Sequence, residues 1–407
     1  MIRPGHIIAL AVLALLTLGT MMVASAGMRV APLGVDGYTT EGITLKSILL
    51  SRNTAYTAAA LVLLGVASRL PVRSLARASL GPGASRVSER GSLMLWGLMV
   101  GAMFAVVAVV YFPGIGHTVN GSSRWVRFGS FTFQPSEIAK WSLVAAVAWY
   151  AVARRDQMHS FVRGLLPVAI GSGLLVGLVA IEDLGTGVLM GAVVGVMLLA
   201  SGARLWHLLM FVPPALAAVL ALIVTSAYRA RRILAFLDPF AYPETHGYHM
   251  IQSMIAIANG HGVGRGLRNG LQKFGYLPED RTDFLFAVIC EELGLLGAII
   301  VAGLYAAILL AATRIIRRER EPMLQLFGVG VTATIGLQAL INMIVVTGLG
   351  PTKGIALPLL SAGGTGWMLT AACLGVLIAM DRAHMSEPEA AALDDEADDT
   401  LWEPSIA

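Results

Sequence analysis

Residues 278–313 read PEDRTDFLFAVICEELGLLGAIIVAGLYAAILLAAT and place a charged segment directly before a long apolar one. The charged segment ends at Asp283, and the apolar run that follows carries only Glu291 and Glu292 as charged residues. A helix that crosses a bilayer needs ~20 mostly apolar residues. The stretch therefore predicts a polar loop that leads into a transmembrane helix.

The composition of the whole chain agrees with this prediction. Hydrophobic residues make up 56% of the 407 residues and charged residues 13%, and the mean hydropathy is +0.74. Soluble domains contain roughly 25% charged residues, and they cannot bury so much apolar surface. The sequence predicts an all-α polytopic membrane protein that has lipid as its solvent.

Ten apolar runs are long enough to form transmembrane helices, and together they predict one ten-helix domain over residues 1–383. They lie near residues 5–25, 53–70, 92–112, 135–153, 162–181, 185–202, 206–227, 284–313, 323–348 and 357–380. Residues 384–407 are acidic and are expected to form a disordered tail. The first run also resembles a signal peptide that ends at Ala24-Ser25-Ala26, although an uncleaved first helix is favoured.

Basic residues predict the orientation of the chain, because cytoplasmic loops carry an excess of Lys and Arg. They cluster in every second loop, at Arg69, Arg73, Arg77, Arg86, Arg90, Arg154, Arg155, Arg163, Arg204, Arg314, Arg317, Arg318 and Arg320. Both termini are therefore expected in the cytoplasm, and the long loop 228–283 between helices 7 and 8 outside it. The net charge of +4 indicates topology and not a nucleic-acid partner. Cys290 and Cys373 are expected to be free thiols.

The first outward segment with candidate functional residues is NGSSRWVRFGSFTFQPSEIAK, 120–140. Arg124 and Arg127 flank Trp125, and Pro135 is suited to the first turn of the next helix. Glu137 and Lys140 lie three residues apart on one helix face, where they can pair. A structural ion pair and a contact with substrate both remain open for these two residues.

A second segment, 228–249, carries Arg229, Arg231 and Arg232 on the expected outer side. Basic side chains at this depth extend to lipid phosphates or hold the anionic head group of a substrate lipid.

The third segment, 259–292, is rich in glycine and contains Lys273 and the charged run before the eighth helix. Thr282 is expected to cap that helix, with Asp283 in its first turn, where the helix dipole favours an ionised carboxylate. Asp283 is then either a general base for an acceptor hydroxyl or an exposed capping acid. Glu291 and Glu292 are expected to be structural pairing groups.

The fourth segment, 347–366, has Lys353 in an outward loop before a helix that opens near Pro358. Ser361 and the pair Gly363-Gly364 are expected to break this helix at membrane depth. Irregular backbone is tolerated there only against protein or a cavity, so the segment is predicted to line an internal site.

These segments resemble the SEDS family of cell-wall polymerases, to which FtsW and RodA belong. The strongest match is KFGYLPEDRTDFLFAVICEELGLLGA, and NGSSRWVRFG, FQPSEIAK, DLGTG, FLDP and GPTKG with LPLLS and GG support it. The resemblance covers roughly residues 90–380. The PTKG and PGIG segments look more like the division member FtsW than the elongation member RodA.

The resemblance implies a glycosyltransferase that polymerises lipid II on the outer face of the cytoplasmic (inner) membrane. The essential aspartate of the family maps onto Asp283, its tryptophan onto Trp125, and its Glu and Lys onto Glu137 and Lys140. Asp183 and Ser361 match further motif positions, although the segments 181–183 and 361–366 that contain them depart from the usual pattern. A class B penicillin-binding protein and other division or elongation proteins are the implied partners.

The mechanism expected from the resemblance is a single inverting displacement in which Asp283 activates the acceptor hydroxyl. Cations must meet the departing diphosphate. The candidates are Arg124, Arg127, Lys140, Arg229, Arg231, Arg232, Lys273 and Lys353, and an Mg²⁺ or Mn²⁺ ion stays open. Two other functions remain as alternatives, a flippase for lipid II and a non-catalytic scaffold that recruits a penicillin-binding protein.

Overall fold

The computed structural model describes residues 3–27, 30–33, 37–40, 45–80, 89–112, 116–119, 122–128 and 131–400. Helices dominate this part of the chain. They are α1 Pro4–Ala26, α2 Leu45–Leu49, α3 Arg52–Ala67, α4 Val72–Leu80, α5 Glu89–Ala108, α6 Pro135–Ala153, α7 Leu166–Glu182, α8 Leu184–Ala200, α9 Leu205–Leu209, α10 Val212–Val224, α11 Ala227–Leu237, α12 Tyr248–Gly260, α13 Leu285–Arg318, α14 Pro322–Val346 and α15 Thr365–Thr400. Short helical turns occupy Val109–Tyr111, Arg155–Gln157, Phe161–Leu165 and Pro239–Ala241.

Two small antiparallel sheets lie in the loops of this chain, which was predicted to be all-α. In the first, β1 Val30–Leu33 pairs with β2 Gly37–Thr40. In the second, β4 Ser122–Phe128 lies between β3 Gly116–Val119 and β5 Phe131–Phe133. Aromatic and β-branched residues favour such strands. The protein is therefore nearly all-helical and not strictly so.

Every one of the ten predicted runs coincides with a helix, but fewer than ten of the described helices meet the length and apolarity that a span requires. Seven do so, and the pair α3 and α4, bent by 71°, would make eight. The other two are α6, whose first turns carry Glu137 and Lys140, and α8, which has 17 residues. The chain is a multi-pass membrane protein, and the count of ten is not confirmed.

The expected domain boundary at residue 383 falls inside α15. This helix runs on to Thr400, and residues 401–407 lie outside the described part of the chain. The disorder predicted for the acidic tail stays a prediction. Both cysteines are free, as expected.

α13 packs against α1, α12 and α14, and its first turns carry two buried carboxylates that shape the glycine-rich loop. Glu291 accepts hydrogen bonds from the backbone N–H groups of Leu271 (2.9 Å) and Gln272 (3.2 Å). Glu292 pairs with Lys273 at 2.7 Å, and both side chains are 0% exposed. An ion pair at this depth is tolerated because each charge is neutralised and hydrogen-bonded. These contacts agree with the structural role expected for Glu291 and Glu292.

α12 reaches α13 through a glycine, because a side chain would not fit at the point of contact. A Cβ atom built on Gly260 would lie 1.8 Å from the carbonyl oxygen of Cys290. A Cβ atom built on Gly262, two residues away, would meet no atom within 4 Å. The contact between α12 and α13 therefore depends on the residue at position 260.

We expect Gly260→Ala to destabilise the protein by ~1–3 kcal/mol, because the added methyl group must push α12 away from α13. Thermal unfolding of the detergent-solubilised protein measures the effect. Gly262→Ala is the matched control and should leave the melting temperature within error. Equal melting temperatures for the two variants would contradict the close contact at Gly260.

Candidate functional site at the Asp283 turn

Asp283 lies half-buried in a turn, two residues before the first residue of α13. Thr282 was expected to cap this helix, but it does not. Its hydroxyl instead donates to the carboxylate of Glu279 at 2.7 Å, and Phe284 occupies the N-cap position without a side-chain bond. The correction moves Asp283 out of the first helical turn, although it stays beside the positive end of α13.

The Asp283 turn is held by contacts with two other segments. The amide nitrogen of Asn342, on α14, donates to the carbonyl oxygens of Asp283 and Ile355, each at 2.7 Å. The N–H of Ala362 donates to the carbonyl oxygen of Arg281 at 2.9 Å. The turn is therefore fastened to the segment 351–364 at two points.

The segment 351–364 is irregular. The last helix was expected to begin near residue 357, but α15 begins at Thr365. The Ser361 hydroxyl accepts from the backbone N–H of Leu357 at 3.0 Å, and its carbonyl accepts from Trp367 Nε1 at 2.7 Å. These bonds replace helical ones. Leu357, Leu359 and Leu360 are buried, so the segment lies inside the protein, as expected. Ser361 is buried as well and holds the turn together.

Lys353 and Asp183 lie near each other at one end of this segment. Asp183 caps α8 by accepting from the backbone N–H of Thr186 at 3.0 Å. Burial lowers the pKa of Lys353, and the neighbouring Asp183 carboxylate opposes this effect. A cation in this setting gains from an additional anion, because burial alone disfavours its charge.

The three arginines of α11 do not face the same way. Arg229 donates to the carbonyl oxygens of Leu222 (3.1 Å) and Ile181, near the end of α7. Arg232 lies over the Tyr228 ring and donates to the Thr352 carbonyl oxygen at 3.2 Å. Arg231, by contrast, is exposed and donates only to Ala227 of its own helix, at 3.2 Å. The structure thus places Arg232, and not Arg231, beside Lys353.

His249, on α12, also belongs to this region, and it was not among the candidates from the sequence. Its ring lies 5.9 Å from the ring of Phe284, centroid to centroid. Burial and the charge of Arg232 lower the pKa of His249, while Glu279 opposes the shift. A neutral imidazole is thus favoured beside the Asp283 turn. Nothing in the local sequence around position 249 distinguishes this histidine from the other seven.

Glu137 and Lys140 pair at 2.8 Å in the first turns of α6, as predicted. Lys140 also donates to the side-chain oxygen of Gln338 at 3.1 Å, and the Gln338 amide donates to the Ala356 carbonyl at 2.8 Å. Gln338 lies one turn from Asn342 on α14. Two amides at this spacing in an apolar run were a usable signal, since polar residues in transmembrane helices commonly mark functional sites.

The remaining candidates from the sequence are Trp125, Arg124, Arg127 and Lys273. Trp125 is half-buried in β4 and pairs in register with His117 of β3. The side chains of Arg124 and Arg127 lie outside the described part of the structure. Lys273 is enclosed by Glu292 and by Ser25, whose hydroxyl lies 3.0 Å from its nitrogen. A fully buried, paired ammonium is not placed to meet a substrate, so its contacts favour a structural role.

A family model described as "Cell cycle protein", FtsW/RodA/SpoVE, matches residues 6–386 of the chain. The chain belongs to this family. Among its curated relatives is the "Probable peptidoglycan glycosyltransferase FtsW" of Thioalkalivibrio sulfidiphilus, 38% identical over 387 residues that cover 92% of this chain and 88% of the relative. The protein of the same name from Geobacter sp. (strain M18) is 39% identical over 282 residues, 69% of this chain and 77% of the relative.

Solved structures of the FtsW/RodA/SpoVE family have the same fold. One chain belongs to work described as "Structural coordination of polymerization and crosslinking by a peptidoglycan synthase complex"; it is 26% identical, with a TM-score of 0.65, and the match covers 93% of this chain and 97% of that one. The "Rod shape determining protein RodA" of Thermus thermophilus is 23% identical, with a TM-score of 0.58 and coverage of 93% and 96%. The likeness to RodA supports the fold alone.

Asp280, three residues before Asp283, provides a test of the electrostatics of this turn. Burial raises the pKa of Asp280 from 3.8 to about 6, against the opposing charge of Arg281. Because the folded-state pKa is the higher one, Asp280 costs stability increasingly as the pH rises from 3.8 to about 6. We expect Asp280→Asn to stabilise the protein by about 1 kcal/mol at pH 8, after allowance for solvent screening, and by less at pH 5.

Thermal unfolding at the two pH values measures this difference. Glu244→Gln, at an exposed acid of the same loop, is the control for the loss of one carboxylate. A gain from Asp280→Asn that does not depend on pH would contradict the raised pKa.

Proposed function

We propose that this chain is an inverting peptidoglycan glycosyltransferase that joins lipid II molecules into β-1,4 glycan strands in cell division or elongation. Support comes from the family, from relatives named as peptidoglycan glycosyltransferase FtsW, and from the arrangement around Asp283. One observation carries the proposal. A half-buried carboxylate, Asp283, lies in a turn that is fastened to the segment bearing a half-buried cation, Lys353.

The proposed reaction begins at the acceptor sugar. Asp283 accepts the proton of the 4-hydroxyl group of N-acetylglucosamine, and the oxygen attacks the anomeric carbon of the donor. The bond from that carbon to the diphosphate breaks, and undecaprenyl diphosphate leaves with the electron pair. Attack opposite to the leaving group converts the α-linked diphosphate into a β-1,4 glycosidic bond. The carboxylate and a positioned hydroxyl supply the chemistry without a covalent intermediate.

The leaving diphosphate needs positive charge, which the residues beside segment 351–364 provide. Lys353 gains from a bound anion, because burial disfavours its charge. Arg232 points at the neighbouring Thr352, and Arg229 lies on the same helix as Arg232. In the described residues, no group of three His, Cys, Asp or Glu side chains could hold a metal ion.

Several other residues receive roles from the family resemblance and their positions. Trp125 offers an aromatic face against which a sugar ring can pack. The Glu137–Lys140 pair is proposed to position Gln338 on α14 through Lys140. Asp183 is proposed to favour the charged form of Lys353. Arg124, Arg127 and the exposed Arg231 remain candidate phosphate ligands. Lys273 and Ser361 are proposed to hold the site together rather than to bind substrate.

The setting proposed for the reaction is the outer face of the cytoplasmic membrane, with both termini in the cytoplasm. The distribution of basic loops supports this orientation. A class B penicillin-binding protein is the proposed partner for cross-linking, together with other division or elongation proteins. A related chain has been solved in a peptidoglycan synthase complex, which supports such a partner.

We expect Asp283→Asn to lower glycan-chain formation from purified lipid II by at least ~100-fold, because the amide cannot take the proton. Gel analysis of labelled polymer measures the product, and the melting temperature verifies that the variant is folded. Asp280→Asn is the matched control, with the same change of charge in the same turn, and should retain activity. Wild-type polymer yield from Asp283→Asn would disprove the assignment, and loss of activity only in Asp280→Asn would transfer the base to Asp280.

The same preparation separates polymerisation from flipping. In vesicles loaded with labelled lipid II, a polymerase yields long glycan chains, whereas a flippase moves the label between leaflets without joining it. A scaffold would give neither result and would tolerate Asp283→Asn in cells.

The arginines of α11 provide a test of the cation positions. We expect Arg232→Gln to raise the KM for lipid II by ~10-fold, because a charge-assisted contact with the diphosphate is lost. Arg231→Gln should change KM by less than ~2-fold, since Arg231 is exposed and bonded within its own helix. The reverse order of the two effects would show that Arg231, and not Arg232, meets the diphosphate.

A further inference from the structure

Asn342 joins two parts of the proposed site and has no place in the chemistry described so far. It lies on α14, is 2% exposed, and donates to the carbonyl oxygens of Asp283 and Ile355, both at 2.7 Å. A carbonyl oxygen can only accept, so the amide nitrogen must face both partners. Each of its two protons serves a different segment, one in the Asp283 turn and one in the segment that carries Lys353.

Gln338, one turn earlier on α14, makes the equivalent connection for the ion pair of α6. Its amide nitrogen donates to the Ala356 carbonyl at 2.8 Å, and its oxygen accepts from Lys140 at 3.1 Å. The adjacent carbonyls of Ile355 and Ala356 are therefore held by successive turns of one helix. Asn342 and Gln338, here called the amide pair, link Asp283, segment 351–364 and the Glu137–Lys140 pair.

Asn342 makes one hydrogen bond more than is needed to satisfy the irregular backbone at Ile355. The Ile355 carbonyl needs a partner because it is buried without a helical hydrogen bond. A residue with a single donor would satisfy that need. Asn342 makes a second bond to Asp283, while its own side-chain oxygen is buried without a hydrogen-bond partner in the described structure. The side chain thus leaves its own acceptor unsatisfied while it fixes the Asp283 turn.

We propose that Asn342 is a positioning residue that sets the distance between the carboxylate of Asp283 and the cation of Lys353. The inference rests on the proposed function, in which one group takes a proton as the other meets the leaving diphosphate. Both groups must keep a fixed separation for the displacement, and a misplacement of ~1 Å can cost ~100-fold in rate. Gln338 fixes the Glu137–Lys140 pair to the same segment.

The first test compares kinetic constants of variants at position 342. Asn342→Leu removes both donors and should lower kcat for lipid II polymerisation by ~100-fold, with KM within ~3-fold of wild type. Asn342→Asp keeps the shape and, when protonated, one donor, so its loss should be smaller. Thr334→Val is the control, because the buried Thr334 hydroxyl bonds only to Gly330 of the same helix, at 2.7 Å.

The second test is independent of activity. Hydrogen–deuterium exchange should become faster in residues 277–287 and 351–362 of Asn342→Leu, and it should stay at wild-type rates there in Thr334→Val. If Asp283→Asn polymerises lipid II normally, the proposed function fails, yet the exchange rates still report whether Asn342 holds the two segments.

Three results would overturn the inference. The first is a kcat loss no larger than that of Thr334→Val, or unchanged exchange in both segments. The second is a raised KM with unchanged kcat, which would make Asn342 a substrate contact. The third is failure of both Asn342 variants to fold, which would assign the residue to stability.

Discussion

The site depends on how this protein satisfies irregular backbone inside a membrane bundle. An N–H or C=O group without a partner is costly in such surroundings, so non-helical segments persist only where other protein groups bond to them. Two sets of side chains meet this need. Glu291 and Glu292 bind the N–H groups of the glycine-rich loop, while Gln338 and Asn342 bind the carbonyls of segment 351–364. Each set matches the backbone group that it serves, because the carboxylates accept from N–H groups and the side-chain amides donate to carbonyl oxygens.

This arrangement explains how α13 and α14 hold the Asp283 turn against the segment that carries Lys353. The buried carboxylates at the start of α13 fix the loop that leads to Asp283, and the amides of α14 fix the segment with Lys353. The two helices pack against each other. The site thus takes its precision from long helices, although Asp283 and Lys353 themselves lie in loops. Rigid elements position functional groups more accurately than loops can alone.

The helices could be predicted from the sequence because lipid demands long apolar runs, and each predicted run holds a helix. The start of α15 could not, since LPLLS at 357–361 is apolar enough for a helix, and its turn depends on bonds from Trp367 and from distant helices. The enclosure of Lys273 depends on Glu292, which is a neighbour in the fold but lies 19 residues along the chain. Which of Arg231 and Arg232 lies beside segment 351–364 depends on the rotation of α11, and the sequence of this helix leaves that rotation open.

The arginines beside the site keep their charge available. A carboxylate partner would neutralise a guanidinium group, whereas a main-chain carbonyl orients it and leaves the net charge. Arg229 and Arg232 both donate to main-chain carbonyls, and Arg232 also lies over an aromatic ring. Fixed and uncompensated cations stabilise charge that develops on a leaving group without reorganisation at the moment of reaction. Burial and the charge of Arg232 lower the pKa of His249, so the imidazole adds no competing positive charge beside Asp283. Positive charge is thereby concentrated where the diphosphate would depart. The neutral imidazole of His249 lies instead beside the Asp283 turn, where the acceptor sugar would bind.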